Sequence, residues 1–191
     1  MDSHEIMQRI ANSRIVFRDS FRDLEHFYNT INKDEIRFTI VSSDQLIKKI
    51  LLWWFKICDE LSIFYALKSL VQAQINNLNI TEEFKKEYAC KIKYNFRDNA
   101  LAMFVESCRN VFVHEGIPFA KIVFTGQKIE LLVDVKELQK SPYFENKGKA
   151  YIKDKDVINF YEVCREHYNL TNSFYEWFWS NIQFNISAEH K

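Results

Sequence analysis

A helical bundle carrying one small β-hairpin is the fold class that this sequence predicts, and three observations lead to it. Glycine and proline number only three and two in 191 residues, so obligate turns are few and the elements must be long. Apolar residues recur at three- and four-residue steps through most of the chain. The period falls to two over one short stretch, about residues 119–134. A hydrophobic content of 47% with 16% aromatics is too much apolar payload for a disordered chain. Residues 1–191 therefore read as a single all-α domain of four to five helices, long enough to bury a core without disulfide or metal staples.

From Glu5 to Asn32 the stripe Ile10, Phe17, Phe21, Leu24, Tyr28, Ile31 marks one face of an amphipathic helix. Lys33 to Val41 reads as a connector, after which Ser42, Ser43 and Asp44 offer N-caps. The next stripe runs through Ile47, Ile50, Leu51, Trp54, Cys58, Leu61 and Tyr65 towards Leu78, a rod of roughly 50 Å suited to a bundle or a dimer spine. Thr81 followed by Glu82 and Glu83 starts another helix, with its acids in the positive first turn. Phe84, Tyr88 and Ile92 continue its face, and Leu101, Phe104, Cys108 and Phe112 form a further stripe. One helix, or two broken near Asn95–Asn99, would fit equally well.

Gly116 suits a left-handed residue closing that helix, and Pro118 prevents its continuation. Ala120, Ile122, Phe124 and then Ile129, Leu131, Val133 alternate around Gly126, which fits a type II′ hairpin turn. Gln139 to Lys149 reads as loop. Asp154 or Asp156 is the expected cap of a last helix with Val157, Tyr161, Cys164, Tyr168, Tyr175, Phe178 and Ile182 on one face.

Lys+Arg 26 balances Asp+Glu 26, so attraction to nucleic acid must come from a local patch. Cys58, Cys90, Cys108 and Cys164 form no CxxC pair and read as buried thiols in a reducing cytosol rather than a metal site. The polar start MDSHEIMQRI does not resemble a signal peptide, and the longest apolar run, Ile50 to Phe55, is far too short to span a membrane. A cytoplasmic protein is expected. The three glycines leave no phosphate-cradling loop, which excludes an ATPase or kinase reading.

One string carries the chemistry: Cys108-Arg109-Asn110-Val111-Phe112-Val113-His114-Glu115-Gly116. Arg109 and Asn110 interrupt a stripe that would read more simply as core. Metal-free RNA cleavage must remove a 2′-hydroxyl proton, stabilise an extra-charged phosphorane and protonate the leaving 5′-oxygen. Histidine moves protons near neutrality, arginine offers a permanent fork for phosphate oxygens, and asparagine can hold the arginine or a ribose hydroxyl. His114 at the negative end of its helix suits the acid role. Arg109 and His114 differ by about 140° around an ideal helix. One copy therefore needs a distorted last turn, or two chains must share a cleft.

The Arg-Asn-x3-His string resembles the signature of the HEPN superfamily, metal-independent ribonucleases built on helical bundles. The signature is Arg, four to six residues, then His, usually with a polar residue after the Arg. With eight Arg, fifteen Asn and five His in the chain, chance predicts about 0.02 occurrences of the string, or about 0.1 when the permitted variations are included. The resemblance covers six residues and the helical architecture around them. It implies Arg109, Asn110 and His114 as catalytic residues, no metal or cofactor, an RNA substrate, and a homodimer with a composite site. It also implies products ending in a 2′,3′-cyclic phosphate, and a role in prokaryotic defence or a toxin–antitoxin pair with a neutralising partner protein. Toxins of the superfamily paired with a nucleotidyltransferase often carry Tyr two residues after the His. Gly116 stands there, so the abortive-infection or stand-alone defence type is the nearer resemblance.

Plainer readings stand beside these. Arg109, Asn110 and His114 can be ordinary surface residues of a non-catalytic helical interaction module or neutralising subunit. His26 and His167 read as surface residues. Trp53-Trp54 and Trp177-Phe178-Trp179 read as core or dimer interface before base-stacking platforms. Lys85, Lys86, Lys91, Lys93 and Arg97 fit an RNA guide or a solvated face equally well. Lys147-Gly148-Lys149, Lys153 and Lys155 read as loop solvation.

Overall fold

Thr81 and Asn99 set the frame of the bundle's middle, because each supplies a side-chain oxygen to an otherwise unpartnered helix N–H. Thr81 Oγ1 accepts from Phe84 N at 3.3 Å and Asn99 Oδ1 from Ala102 N at 3.1 Å. The computed structural model describes residues 3–33, 43–75, 78, 80–116, 120–125 and 128–185. Its helices are α1 (Ser3–Ile31), α2 (Ser43–Gln74), α3 (Glu82–Ile92), α4 (Ala100–Glu115), the single turn α5 (Val135–Leu138) and α6 (Phe160–Asn185). Strands β1 (Ala120–Thr125), β2 (Lys128–Asp134) and β3 (Val157–Asn159) form a small antiparallel sheet in the order β1-β2-β3. The predicted all-α class, four to five helices with a small hairpin after the motif helix, is the fold observed, with β3 added to the hairpin as a third strand.

The stretch left open near Asn95 resolves into two helices. A π-helical turn, Lys93–Arg97, follows α3, and Asn99 caps α4 after it. Gly116 closes α4 with φ +76°, a backbone that side chains rarely adopt, and its N–H donates to Phe112 O at 3.2 Å. The connector after Lys33, the side chains of residues 42–44, Trp53, Trp54, Cys58, Pro118 and the Gly126 turn lie outside the described residues and side chains.

Two boundaries differ from expectation. The second helix stops at Gln74, short of Leu78. Leu78 and Ile80 are apolar because they turn into the core, with the Ile80 N–H on Leu78 O at 2.9 Å. The last helix is capped by neither Asp154 nor Asp156. Val157 to Asn159 pair with β2 instead, and Asn159 Oδ1 accepts from Tyr161 N and Glu162 N. Val157 is therefore a strand residue, 53% exposed, and does not belong to the buried helix face.

The core has two apolar clusters that α1, α2 and α6 traverse together. One joins Phe21, Leu24, Tyr28 and Ile31 to α4, to Ile129, Leu131 and Val133 of β2, and to the start of α6. The other joins Ile6, Ile10 and Phe17 to Phe64, Leu67 and Val71, to α3, and to Phe174, Tyr175 and Phe178. Asn32 ties the sheet to the end of α1: its Oδ1 accepts from Ile129 N at 2.6 Å and its Nδ2 donates to Ile129 O at 3.3 Å. The C-terminal end of α4 thus sits at the sheet end of the bundle.

His167 corrects the surface reading given to it. It is fully buried, its ring edge-on to Phe64 at 4.4 Å, because Cys164, His167, Thr171 and Phe174 follow the three- and four-residue steps of α6's inner face. His26 is exposed. Cys108 and Cys164 are buried as expected, whereas Cys90 is exposed on α3. No described helix is long and apolar enough to cross a membrane.

Candidate functional site

Helix α4 presents two stripes. Phe104, Val105, Cys108, Val111 and Phe112 pack into the core. Glu106, Arg109, Asn110, Val113 and His114, also at three- and four-residue steps, face away from it and are half-buried or exposed. Arg109 and Asn110 therefore do not break the apolar stripe. They belong to a second one.

Arg109 leans towards α2, its guanidinium 5.3 Å from the centre of the Tyr65 ring. Its Nη1 donates to Asn110 Oδ1 at 3.5 Å, while its Nε is buried without a hydrogen-bond partner. No described carboxylate pairs with it. Tyr65 sits between charges: burial above all, then Glu106, pushes its phenol well above the ordinary range, with Arg109 pulling the other way. Lys68, one turn along α2, has its ammonium 5.4 Å from the same ring. Burial lowers its pKa against the opposing pull of Glu106.

The segment after α5 closes over the outward stripe. Asn110 Nδ2 donates to Glu145 Oε1 at 2.5 Å, and Lys147 Nζ bridges Glu145 Oε2 at 2.9 Å and Glu106 Oε2 at 3.3 Å. Burial works to lower the Lys147 pKa, but its bonds to Glu145 and Glu106 outweigh that and raise it. Two residues before Glu145, Tyr143 stacks on the His114 ring, with centroids 4.3 Å apart and planes 16° from parallel.

Gly148 permits this approach. A Cβ there would lie 2.7 Å from Ser107 Oγ and 2.9 Å from Ser107 Cβ, so the 3₁₀ turn Asn146–Ala150 can rest on α4 only without a side chain at that point.

Asn110 and His114, four residues apart, share a face and one covering segment. Arg109 meets Asn110 but makes no described contact with His114. The last turn of α4 is regular, so the 140° between Arg109 and His114 is not relieved within one chain. The sequence reading missed Tyr65, Tyr143, Glu145 and Lys147. Tyr65 packs half-buried against the core beside the fully buried Phe64, and what its place on the stripe does not reveal is its contact with Arg109. Lys147 is no solvated loop lysine but the centre of a paired cluster. The one local sign of this packing was the glycine at 148.

The chain matches no protein-family model, no curated protein and no solved structure. The described residues form an all-α bundle with a charged, half-buried cluster at the end of α4.

Proposed function

We propose that this chain is a metal-independent endoribonuclease of the HEPN type, working as a homodimer on RNA. The observation that carries the reading is Arg109. It is a half-buried guanidinium over the Tyr65 ring, without a carboxylate partner among the described residues, beside Asn110 and five residues before the exposed His114. An arginine held in that way remains available to an external anion, and its fork suits phosphate oxygens.

In the proposed reaction the ribose 2′-oxygen attacks the adjacent phosphorus and its proton leaves to solvent. Arg109 holds the extra charge of the phosphorane, with Asn110 orienting the guanidinium. The bond from phosphorus to the 5′-oxygen breaks, and His114 protonates that oxygen, leaving a 2′,3′-cyclic phosphate and a 5′-hydroxyl. The regular last turn of α4 favours Arg109 and His114 from different copies meeting in one cleft. Val113, 58% exposed beside His114, offers apolar surface for such a pairing. By the same resemblance, the setting is prokaryotic antiviral defence or a toxin system with a neutralising partner protein, in the cytoplasm.

The second reading, a non-catalytic interaction module, is favoured by the separation of Arg109 from His114 within the chain. One experiment divides the two: cleavage of a transfer RNA and a structured messenger in excess EDTA, parent chain beside His114→Ala, with end-group determination. The enzyme reading expects cyclic phosphate ends from the parent and none from the variant. The module reading expects no cleavage from either.

A further inference from the structure

Glu145 occupies a position with the chemistry of a phosphate site. Its two carboxylate oxygens are divided between a neutral donor, Asn110 Nδ2 at 2.5 Å, and a cation, Lys147 Nζ at 2.9 Å. The two non-bridging oxygens of a phosphodiester present the same charge and a similar spread to such donors. Arg109 adjoins through its bond to Asn110 Oδ1, and its buried Nε has no partner. Lys147 is held from behind by Glu106 at 3.3 Å, so its ammonium stays in place if Glu145 departs.

The charges around this point are unequal. Arg109 and Lys68 stand 5.3 and 5.4 Å from the centre of the Tyr65 ring and Lys147 is paired with Glu106 and Glu145, three cations against two carboxylates. Withdrawing Glu145 leaves three cations and one carboxylate. The Glu145 side chain is 44% exposed, so it can leave for water without unpacking the core. Tyr143, 41% exposed and stacked on His114, lies two residues from it on the same segment, where a nucleobase could continue the stack.

We propose that Asn110 and Lys147, with Arg109 beside them, form a phosphodiester-binding site that Glu145 fills in the free chain, and that an incoming RNA strand displaces this carboxylate. The inference rests on the ribonuclease reading for its ligand. Lys147 thereby becomes a binding residue that touches substrate, and Glu145 an internal competitor that offsets part of the cluster's positive charge until RNA arrives. No covalent step is involved. One hydrogen-bonded acceptor exchanges for another, and the carboxylate leaves with its charge solvated.

The test uses the full chain and two probes. One is a 2′-O-methylated RNA decanucleotide, which lacks the attacking hydroxyl and reports binding alone. The other is inorganic pyrophosphate, followed through the Asn110 side-chain amide resonance. Glu145→Gln, which keeps the shape and removes the charge, should bind the oligonucleotide about five- to tenfold more tightly. Lys147→Ala should bind it more weakly, with the slope of log K on log salt shallower by about 1. Pyrophosphate should shift the Asn110 amide at lower concentration in Glu145→Gln than in the parent. Circular dichroism of each variant checks the fold, and Glu145→Ala, which cannot refill the site, should repeat the gain.

If the parent binds and cleaves RNA but both Glu145 variants bind it no better, the displacement is wrong while the ribonuclease reading stands. If no chain binds the oligonucleotide but pyrophosphate reaches Asn110 more readily in Glu145→Gln, the anion site stands and RNA is the wrong ligand. Failure of pyrophosphate and oligonucleotide alike to distinguish the Glu145 variants from the parent overturns the site itself.

Discussion

The rings of His114 and Tyr143 lie 4.3 Å apart and nearly parallel, although the two residues belong to segments separated by the whole sheet hairpin. Two positions along, Glu145 takes the amide of Asn110. A short stretch of chain therefore grips both outward residues of one α4 turn, the first by stacking and the second by a charged hydrogen bond.

Stacked aromatic pairs contribute about 0.5–1.5 kcal/mol beyond area burial. Tyr143→Ala should accordingly slow RNA cleavage by about 2- to 10-fold through a less ordered His114, while Tyr143→Phe keeps the parent rate. Denaturation of Tyr143→Ala should show a loss of no more than about 1.5 kcal/mol, the stack itself, because Tyr143 is a partly exposed loop residue. An unchanged rate in Tyr143→Ala would show that the imidazole needs no such support.

Gly148→Ala should destabilise the fold by about 1–3 kcal/mol, since the new methyl group meets Ser107 Cβ at 2.9 Å and neither backbone can easily give way. Urea denaturation measures this. Pairing the change with Ser107→Gly should return part of the loss, a non-additivity expected of touching residues. Additive losses would place the clash elsewhere.

Arg109→Lys should cost about tenfold or more in cleavage, because an ammonium offers neither the planar group that stands 5.3 Å from the centre of the Tyr65 ring nor the two-pronged grip on phosphate. Tyr65→Phe should leave the rate intact, as the ring rather than the hydroxyl faces the guanidinium. Steady-state cleavage assays of the two variants decide this. A large loss in Tyr65→Phe would assign a role to the hydroxyl instead.

Alkaline pH should unfold the chain in a way its tyrosines foretell. Tyr161, stacked on Tyr28 at 3.8 Å, has its pKa pushed up to about 12 by burial first and Glu25 next, and burial moves Tyr65, Tyr88, Tyr151 and Tyr175 the same way. A phenol whose folded pKa exceeds its unfolded value of about 10 contributes fully below that pH. Its contribution is lost as pH rises through the folded value. Stability should therefore decline above about pH 10, with tyrosinate absorbance rising together with loss of the helical circular dichroism. Tyrosinate forming at full amplitude in a still-helical chain would contradict the burial of these rings.

Local pattern made much of this fold legible. The α1 stripe, the Thr81 cap, the Gly116 stop and the alternation of β2 are each written in a few neighbouring residues. Asn159 as the cap of α6 was not, because it depends on three residues pairing with β2, a contact no local period reveals. His167, which reads as a surface residue when only its lack of paired ligands is considered, lies inside because Cys164, Thr171 and Phe174 share its helical spacing. At the candidate site, Arg109, Asn110 and His114 stood out as a string. Their surroundings, Tyr65 at 44 positions before Arg109 and Glu145 at 35 after Asn110, come together only through tertiary packing.

The central claim is that Arg109 of one copy and His114 of another act on the same RNA phosphate. Mixing Arg109→Ala with His114→Ala chains in excess EDTA, after subunit exchange, tests it most directly. Each variant alone should be inactive. Random pairing yields about half mixed dimers, each with one intact Arg109–His114 combination out of two, so about a quarter of the parent activity should return, with cyclic phosphate ends. Full activity in either variant alone, a mixture no more active than its parts, or a folded parent dimer that cleaves no RNA would contradict the account.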